Sequence, residues 1–110
     1  YNVKLILDVN NLIILGRTKD CLELSKIDKK FQSFGFKTKT INGHSYKQIH
    51  SGFKFLNKND KKMKILITNT VKGKGISYME NKPEWHYWQK MTSSQKSIMI
   101  KELNAKISKR

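Results

Sequence analysis

An asparagine pair stands directly after an apolar run near the start of the sequence. Residues 3–9, VKLILDV, are short and rich in aliphatic side chains, and Asn10 and Asn11 follow them. This pattern is typical of a buried strand that ends in a turn. An asparagine at a strand end offers a hard, neutral oxygen, which is a ligand that Mg²⁺ or Ca²⁺ accepts. Asn-Asn is also a common turn sequence, so the pair alone leaves a metal site and a plain turn open.

A second candidate lies in residues 70–86, TVKGKGISYMENKPEWH. In residues 72–75 lysine alternates with glycine. Glycine lets a backbone approach a ligand closely, and lysine supplies charge for phosphate oxygens. The spacing is not that of a Walker sequence, so a flexible basic turn stays possible. His86 closes the stretch beside Trp85, where packing and chemistry are both open. A connection of this length within a small domain is usually functional or disordered.

The charge of the chain bears on its partners. The 110 residues carry a formal net charge of +15, yet only Arg17 and Arg110 are arginines. The lysines are spread along the whole chain, whereas nucleic-acid recognition usually depends on arginine forks. We therefore expect no nucleic acid as partner, although a basic nucleic-acid-binding module stays as an alternative. A positive field also attracts phosphorylated small molecules.

Composition limits the cellular setting as well. No apolar run approaches the length of about 18 residues that a membrane span needs, so we expect no membrane partner. The single Cys21 cannot form an internal disulfide, which favours a reducing, cytoplasmic location. Because the first residue is Tyr1 and no signal peptide follows, we expect a piece of a longer chain.

Alternating strands and helices must position these residues. The expected strands are residues 3–9, 36–41 and 63–68, and the expected helices are residues 23–34, a segment after Ser45 and a segment after Thr92. Their apolar stripes are Leu24, Ile27, Phe31 and Phe34, then Tyr46, Ile49, Phe53 and Leu56, then Met99, Leu103 and Ile107. Gly35 fits a helix C-terminal cap, and Thr92 with Gln95 fits a capping box.

This order predicts an α/β fold, a three-layer αβα arrangement with a mostly parallel sheet. In such a sheet, ligands bind outside the carboxyl ends of the strands. Residues 10–11, 42–44 and 70–73 each follow an expected strand. We therefore expect these three loops at one edge of the sheet.

Four stretches together resemble transketolase. They are LILDVNNL (5–12), the FGF and ING-HS region (34–45), ILITNTVKGKGISYMENKPEWH (65–86) and the helix that follows. They occur in the order and at roughly the spacings of that family, over nearly the whole chain. The resemblance is to the later part of the diphosphate-binding domain, and most of all to the N-terminal subunit of short, two-subunit bacterial transketolases. It implies that residues 1–110 are part of that domain, without its upstream Gly-Asp-Gly half.

The resemblance also implies roles for single residues. Thiamine diphosphate and Mg²⁺ (or Ca²⁺) are the implied cofactors, with the Asn10 side chain and the Leu12 carbonyl as metal ligands. Ile14 matches a position that lines the cofactor. Lys72 and His86 match residues that approach the diphosphate and the reactive edge of the cofactor, and His86 is the implied catalytic residue. Residues 70–86 would then cover the cofactor.

The implied reaction moves a two-carbon ketol unit from a ketose to an aldose, on a phosphorylated or otherwise activated sugar such as a nucleotide-activated one. The implied partner is a pyrimidine-binding subunit or domain, in a homo- or hetero-oligomer, and this chain alone would not be active. Tyr87 and Trp88 stand where the family has Gly and Lys, which bears on substrate choice. The alternatives are deoxyxylulose-phosphate synthase, a two-oxoacid dehydrogenase component, and an inactive assembly subunit.

Overall fold

The computed structural model describes residues 3–87 and 90–108. In chain order the elements are β1 (Leu5–Val9), β2 (Leu12–Ile13), β3 (Gly16–Arg17), α1 (Thr18–Cys21), α2 (Ile27–Ser33), β4 (Lys37–Asn42), α3 (Tyr46–Asn57), β5 (Lys64–Asn69), a 3-10 turn (Pro83–His86) and α4 (Ser93–Ile107). They form two compact units. The first contains residues 3–10 and 22–70, and the second contains residues 11–21, 71–87 and 90–108. No helix among the described residues is both long and apolar enough to cross a membrane.

The first unit is built on a three-stranded parallel sheet. Its strand order is β1-β5-β4, and β5 pairs with both neighbours. The central strand carries the apolar run ILI, of which Leu66 and Ile67 are each only 1% exposed. A central strand buried on both faces is what a continuous aliphatic run predicts for a parallel sheet. The predicted α/β class with a parallel sheet is confirmed.

Helices α2 and α3 cover opposite faces of this sheet. The amide of Gln32 in α2 donates to the hydroxyl of Thr38 at 2.8 Å. The ammonium of Lys39, the next residue of β4, donates to the hydroxyl of Ser51 in α3 at 2.6 Å. Successive residues of a strand point to opposite faces. The first unit therefore has a helix layer on each side of its sheet.

Helix α3 begins as predicted but buries a different stripe. Ser45 caps it by accepting from the backbone N–H of Gln48. Its buried side contains Ile49, Phe55 and Leu56, which pack with Ile41 and Leu66. The predicted stripe members Tyr46 and Phe53 are exposed, Tyr46 at 78%. The reason is Gly52, whose lack of a side chain lets Leu66 pack against the helix and turns the buried face toward Phe55.

Helix α2 is shorter than predicted. It begins only at Ile27, because Lys26 takes a left-handed conformation (φ 52°) and Ser25 donates its N–H to the Glu23 carboxylate. The predicted stripe members Leu24 and Phe34 lie outside the helix and are exposed. The C-terminal prediction is confirmed, since Gly35 has φ +85°.

The second unit contains a hairpin and a long helix. Strands β2 and β3 pair antiparallel, and α1 follows directly; neither these elements nor the 3-10 turn was predicted. The capping box of Thr92 and Gln95 at the start of α4 is confirmed. The predicted stripe of α4 is not buried: Leu103 and Ile107 are exposed. The helix is held instead by polar contacts, in which Glu102 accepts from Ser77 and Lys106 donates to the Gly75 carbonyl.

Candidate functional site

The three strands of the first unit end together at one edge. The N–H of Thr70 donates to the Val9 carbonyl at 3.1 Å, and the N–H of Gly43 donates to the Asn69 carbonyl at 2.8 Å. The Thr70 hydroxyl also donates to the Asp8 carboxylate. Asn10, Gly43 and Thr70 thus directly follow the carboxyl ends of neighbouring parallel strands, and Asn42 is the last residue of β4. The predicted shared edge is confirmed for these residues of the first unit.

A tight turn at this edge holds His44. Its N–H donates to the Asn42 side chain at 2.9 Å, and the N–H of Asn42 donates to the Gln48 side chain at 2.7 Å. The turn passes so close to β5 that a Cβ at Gly43 would lie 2.5 Å from the Thr70 methyl group. His44 itself is exposed. His44 is thus a residue of the turn that directly precedes the Ser45 cap of α3.

The metal candidates Asn10 and Leu12 lie on either side of a sharp turn. Asn10 is half-buried, and Asn11 takes a left-handed conformation (φ 61°), which asparagine accepts more readily than most residues. Leu12 then enters β2, half-buried, and Ile14 is exposed between the two strands of the hairpin. Asn10 belongs to the first unit, whereas Leu12 and Ile14 belong to the second.

The glycine–lysine stretch is folded onto itself. The Lys72 carbonyl accepts from the N–H of Asn81 at 3.0 Å. The Glu80 carboxylate accepts from the N–H of Gly75 at 3.0 Å and pairs with Lys74 at 3.4 Å. These contacts, first the one to Gly75 and then the one to Lys74, lower the pKa of Glu80. The segment is therefore a closed loop with its own hydrogen bonds.

The two lysines of this loop differ in their surroundings. Lys74 is exposed and is paired with Glu80, whereas Lys72 is half-buried. Within residues 3–87 and 90–108, no carboxylate forms an ion pair with Lys72. A lysine without an internal counter-charge is the better candidate for contact with an anion. The sequence pattern did not distinguish the two, because the fold of residues 72–81 decides which one meets a carboxylate.

His86 ends the 3-10 turn and is exposed. Its ring lies 5.2 Å from that of Tyr87 in an edge-to-face arrangement. Trp85 is half-buried against Tyr78, with ring centroids 5.5 Å apart. The turn also contacts β2, so the second unit brings Leu12 and His86 into one region although they are far apart in sequence. Trp88 lies outside the described residues.

The candidate metal ligands are oxygen atoms, the ligand type that Mg²⁺ prefers. The amide oxygen of Asn10 and the carbonyl oxygen of Leu12 are hard, neutral ligands, which Mg²⁺ accepts. In the described part of the chain, no three His, Cys, Asp or Glu side chains group as a metal site. These two donors therefore need further oxygens, and negative charge, from a phosphate or from another part of the protein.

Glu80 and Glu102 are structural residues of the site that the sequence analysis missed. Glu80 closes the lysine–glycine loop by accepting from Gly75. Glu102 connects α4 to Ser77, and its two hydrogen bonds from Ser77 lower the pKa of Glu102. No motif marks either residue. The only signal is that the second unit has few acidic residues to pair with its lysines.

Two kinds of curated relatives are similar to this chain. An apulose-4-phosphate transketolase subunit of Phocaeicola vulgatus is 32% identical over 108 residues, which cover 98% of this chain and 38% of the relative. Its counterpart in Actinobacillus succinogenes is 36% identical over 86 residues, covering 78% of this chain and 31% of the relative. The 6-deoxy-6-sulfo-D-fructose transketolase subunit SqwG of a Clostridium species is 30% identical over 96 residues, covering 87% of this chain and 34% of the relative.

A solved structure shares the fold. The crystal structure of transketolase from Campylobacter jejuni superposes with a TM-score of 0.72 at 29% sequence identity, covering 77% of this chain and 13% of that chain. No protein-family profile matches the chain. This chain spans about a third of the length of the curated relatives that it matches.

Proposed function

Because this chain matches a segment of transketolase subunits in both sequence and fold, we propose that it forms the later part of the diphosphate-binding domain of such a protein. The observation that carries the proposal is the match of 98% of this chain to an apulose-4-phosphate transketolase subunit. Asn10, chosen for its chemistry, also follows a strand end at the edge where parallel sheets bind ligands. The relatives that cover 78–98% of this chain are named as transketolase subunits.

The chemistry that thiamine diphosphate supplies when bound is transfer of a two-carbon ketol unit from a ketose to an aldose. In our proposal, Asn10 and the Leu12 carbonyl hold Mg²⁺ at the diphosphate, and Ile14 gives an apolar contact to the cofactor. Lys72 neutralises phosphate charge. An imidazole nitrogen of His86 gives and takes a proton at the reacting end of the site.

The proposed substrate class is supported by the substrates in the relatives' names and by the net charge of this chain. Apulose 4-phosphate carries a phosphate and 6-deoxy-6-sulfo-D-fructose a sulfonate, so both relatives are named for anionic sugars. A chain with a net charge of +15 attracts such substrates over a long range. We propose an anionic ketose as the donor of the ketol unit, phosphorylated or otherwise activated.

The partner that we propose supplies the pyrimidine side of the cofactor site. Each of the three curated relatives is named as one subunit of its transketolase, which supports an assembly of several subunits for this chain too. The cytoplasmic location stays a prediction that rests on the single Cys21.

The test is calorimetric titration of the complete assembly that contains this chain with thiamine diphosphate, with and without Mg²⁺. We expect metal-dependent binding that Asn10→Ala weakens at least about tenfold, since it removes a metal ligand. Asn104→Ala, which removes an exposed amide from α4, should leave binding unchanged. Absence of binding, or binding indifferent to Mg²⁺, would contradict the proposal and favour an inactive assembly subunit.

A further inference from the structure

Several lysines lie together at the opposite end of the sheet. A cavity of about 180 Å³ opens where the chain enters β1 and β5, and its lining includes Lys4, Lys58, Lys62 and Lys64. In a parallel sheet the amino ends of the strands lie at the edge away from the carboxyl ends. This cavity is therefore distinct from the edge that carries Asn10, and all of its lining belongs to the first unit.

One carboxylate of this cavity is already engaged. Asp60 accepts from Lys37 at 2.8 Å and from Lys64 at 3.2 Å, and it also accepts from the N–H of Lys62 at 3.3 Å. Lys64 is 7% exposed and donates in addition to the Lys58 carbonyl. The buried Lys64 thus fixes the turn between α3 and β5, and both oxygens of Asp60 already accept from Lys37, Lys64 or the N–H of Lys62.

Three further lysines belong to the lining, Lys4, Lys58 and Lys62. Across residues 3–87 and 90–108, no carboxylate forms an ion pair with Lys4, Lys58 or Lys62. Like charges gathered around one cavity repel each other, and an anion placed between them relieves that repulsion. Asn57 and Asn59 also line the cavity, and their amides are neutral hydrogen-bond donors for the oxygens of such an anion.

We propose that this cavity binds a small phosphate-bearing anion, with Lys4, Lys58 and Lys62 as its cationic contacts. Phosphate suits the site because its several oxygens accept from several point-charge donors at once. The volume of about 180 Å³ admits the phosphate group with a small attached moiety. The proposal does not depend on the cofactor assignment, because it uses none of the same residues.

The probe is inorganic phosphate, titrated by calorimetry into the complete protein or its assembly after saturation with thiamine diphosphate and Mg²⁺. Saturation prevents phosphate from binding at the cofactor site. If the protein binds no cofactor, phosphate is titrated into it in the same way. Failure of the cofactor proposal therefore leaves the test of the phosphate proposal intact. We expect phosphate to bind, and a binding component that is five- to tenfold weaker in Lys58→Gln and in Lys4→Gln.

The matched control is Lys29→Gln, which removes the same charge from an exposed residue of α2 outside the cavity. Phosphate affinity should not change in this variant. An equal loss in Lys29→Gln would assign the binding to the overall charge of the chain and overturn the proposal, as would an affinity that Lys58→Gln and Lys4→Gln leave unchanged. Both cavity lysines are exposed, so folding is retained, which thermal melting of each variant checks.

Discussion

Gly73 lies directly against the backbone of Met79. A Cβ built at Gly73 would stand 2.6 Å from the Met79 carbonyl carbon and 2.8 Å from the Met79 Cβ, and Gly73 has φ +73°. No side chain fits there without moving the backbone of residues 73–79. The close approach explains how a loop rich in glycine and lysine closes on itself.

Gly73→Ala should therefore open this loop in the complete protein. The left-handed conformation alone costs an L-residue about 1–2 kcal/mol, and the clash with Met79 adds to that. The matched control is Gly75→Ala, which also has a positive φ (+111°) but whose Cβ meets no atom closer than Lys106 Nζ at 3.8 Å. Hydrogen exchange of residues 71–81 measures the effect. Equal exchange in the two variants would show that the strain of a positive φ, and not the contact with Met79, opens the loop.

A second close contact allows a double-mutant test at the shared strand edge. Gly43→Ala would place a methyl group 2.5 Å from the Thr70 methyl, and we expect it to cost about 1–3 kcal/mol of unfolding free energy. Thr70→Ser removes that methyl but keeps the hydroxyl that bonds to Asp8. In the double variant part of the cost should be recovered, with a coupling of at least about 0.5 kcal/mol in urea denaturation. Additive costs would contradict the contact.

Sequence signals that involve only neighbouring residues predicted some elements of this fold well. The aliphatic run in β5, the glycine after α2 and the capping box of Thr92 with Gln95 each depend on neighbours only a few residues away. The parallel sheet followed from the alternation of these elements. Those predictions needed no knowledge of distant contacts.

The elements that were missed depend on distant or very short pairings. Strands β2 and β3 have two residues each, too few for any hydrophobic period to register. The closed loop after β5 depends on the Glu80 carboxylate reaching the Gly75 N–H, which no spacing rule contains. Tyr46 and Phe53 were placed in the core because their spacing is helical, whereas Gly52 sets the side of α3 that meets the sheet. The roles of Asn10, Leu12, Ile14, Lys72 and His86 stay predictions.

The acid dependence of stability should report on Asp60. The hydrogen bond from Lys37 and, after it, that from Lys64 lower the pKa of Asp60 from 3.8 to about 2. A folded-state pKa below the unfolded one means that the contribution is complete above pH 3.8 and is lost as the pH falls through about 2. The difference in urea midpoint between the parent protein and Asp60→Asn should shrink over that range.

Lys37→Gln provides the control for this titration. It removes the largest cause of the lowered pKa while Asp60 still pairs with Lys64, so the loss of stability should begin at a higher pH than in the parent protein. A midpoint difference between the parent protein and Asp60→Asn that is constant from about pH 6 to pH 2 would show that Asp60 does not titrate as described.

Lys72 and Lys74 offer a matched pair for the proposed cofactor contact. Both lose one charge when changed to glutamine, but Lys74 is already paired with Glu80 at 3.4 Å, whereas no carboxylate of the described residues pairs with Lys72. We expect Lys72→Gln to weaken binding of thiamine diphosphate to the complete assembly about five- to tenfold, since a charge-assisted contact to phosphate is lost.

Lys74→Gln should change that affinity less than about twofold, because it removes only a solvent-exposed ion pair. Raising the salt concentration should reduce the difference between the parent protein and Lys72→Gln, as ions screen the lysine–phosphate attraction. Equal weakening by the two variants would mean that the loop acts through its total charge. In that case the fold of residues 72–81, which places Lys74 but not Lys72 beside the Glu80 carboxylate, has no bearing on cofactor binding.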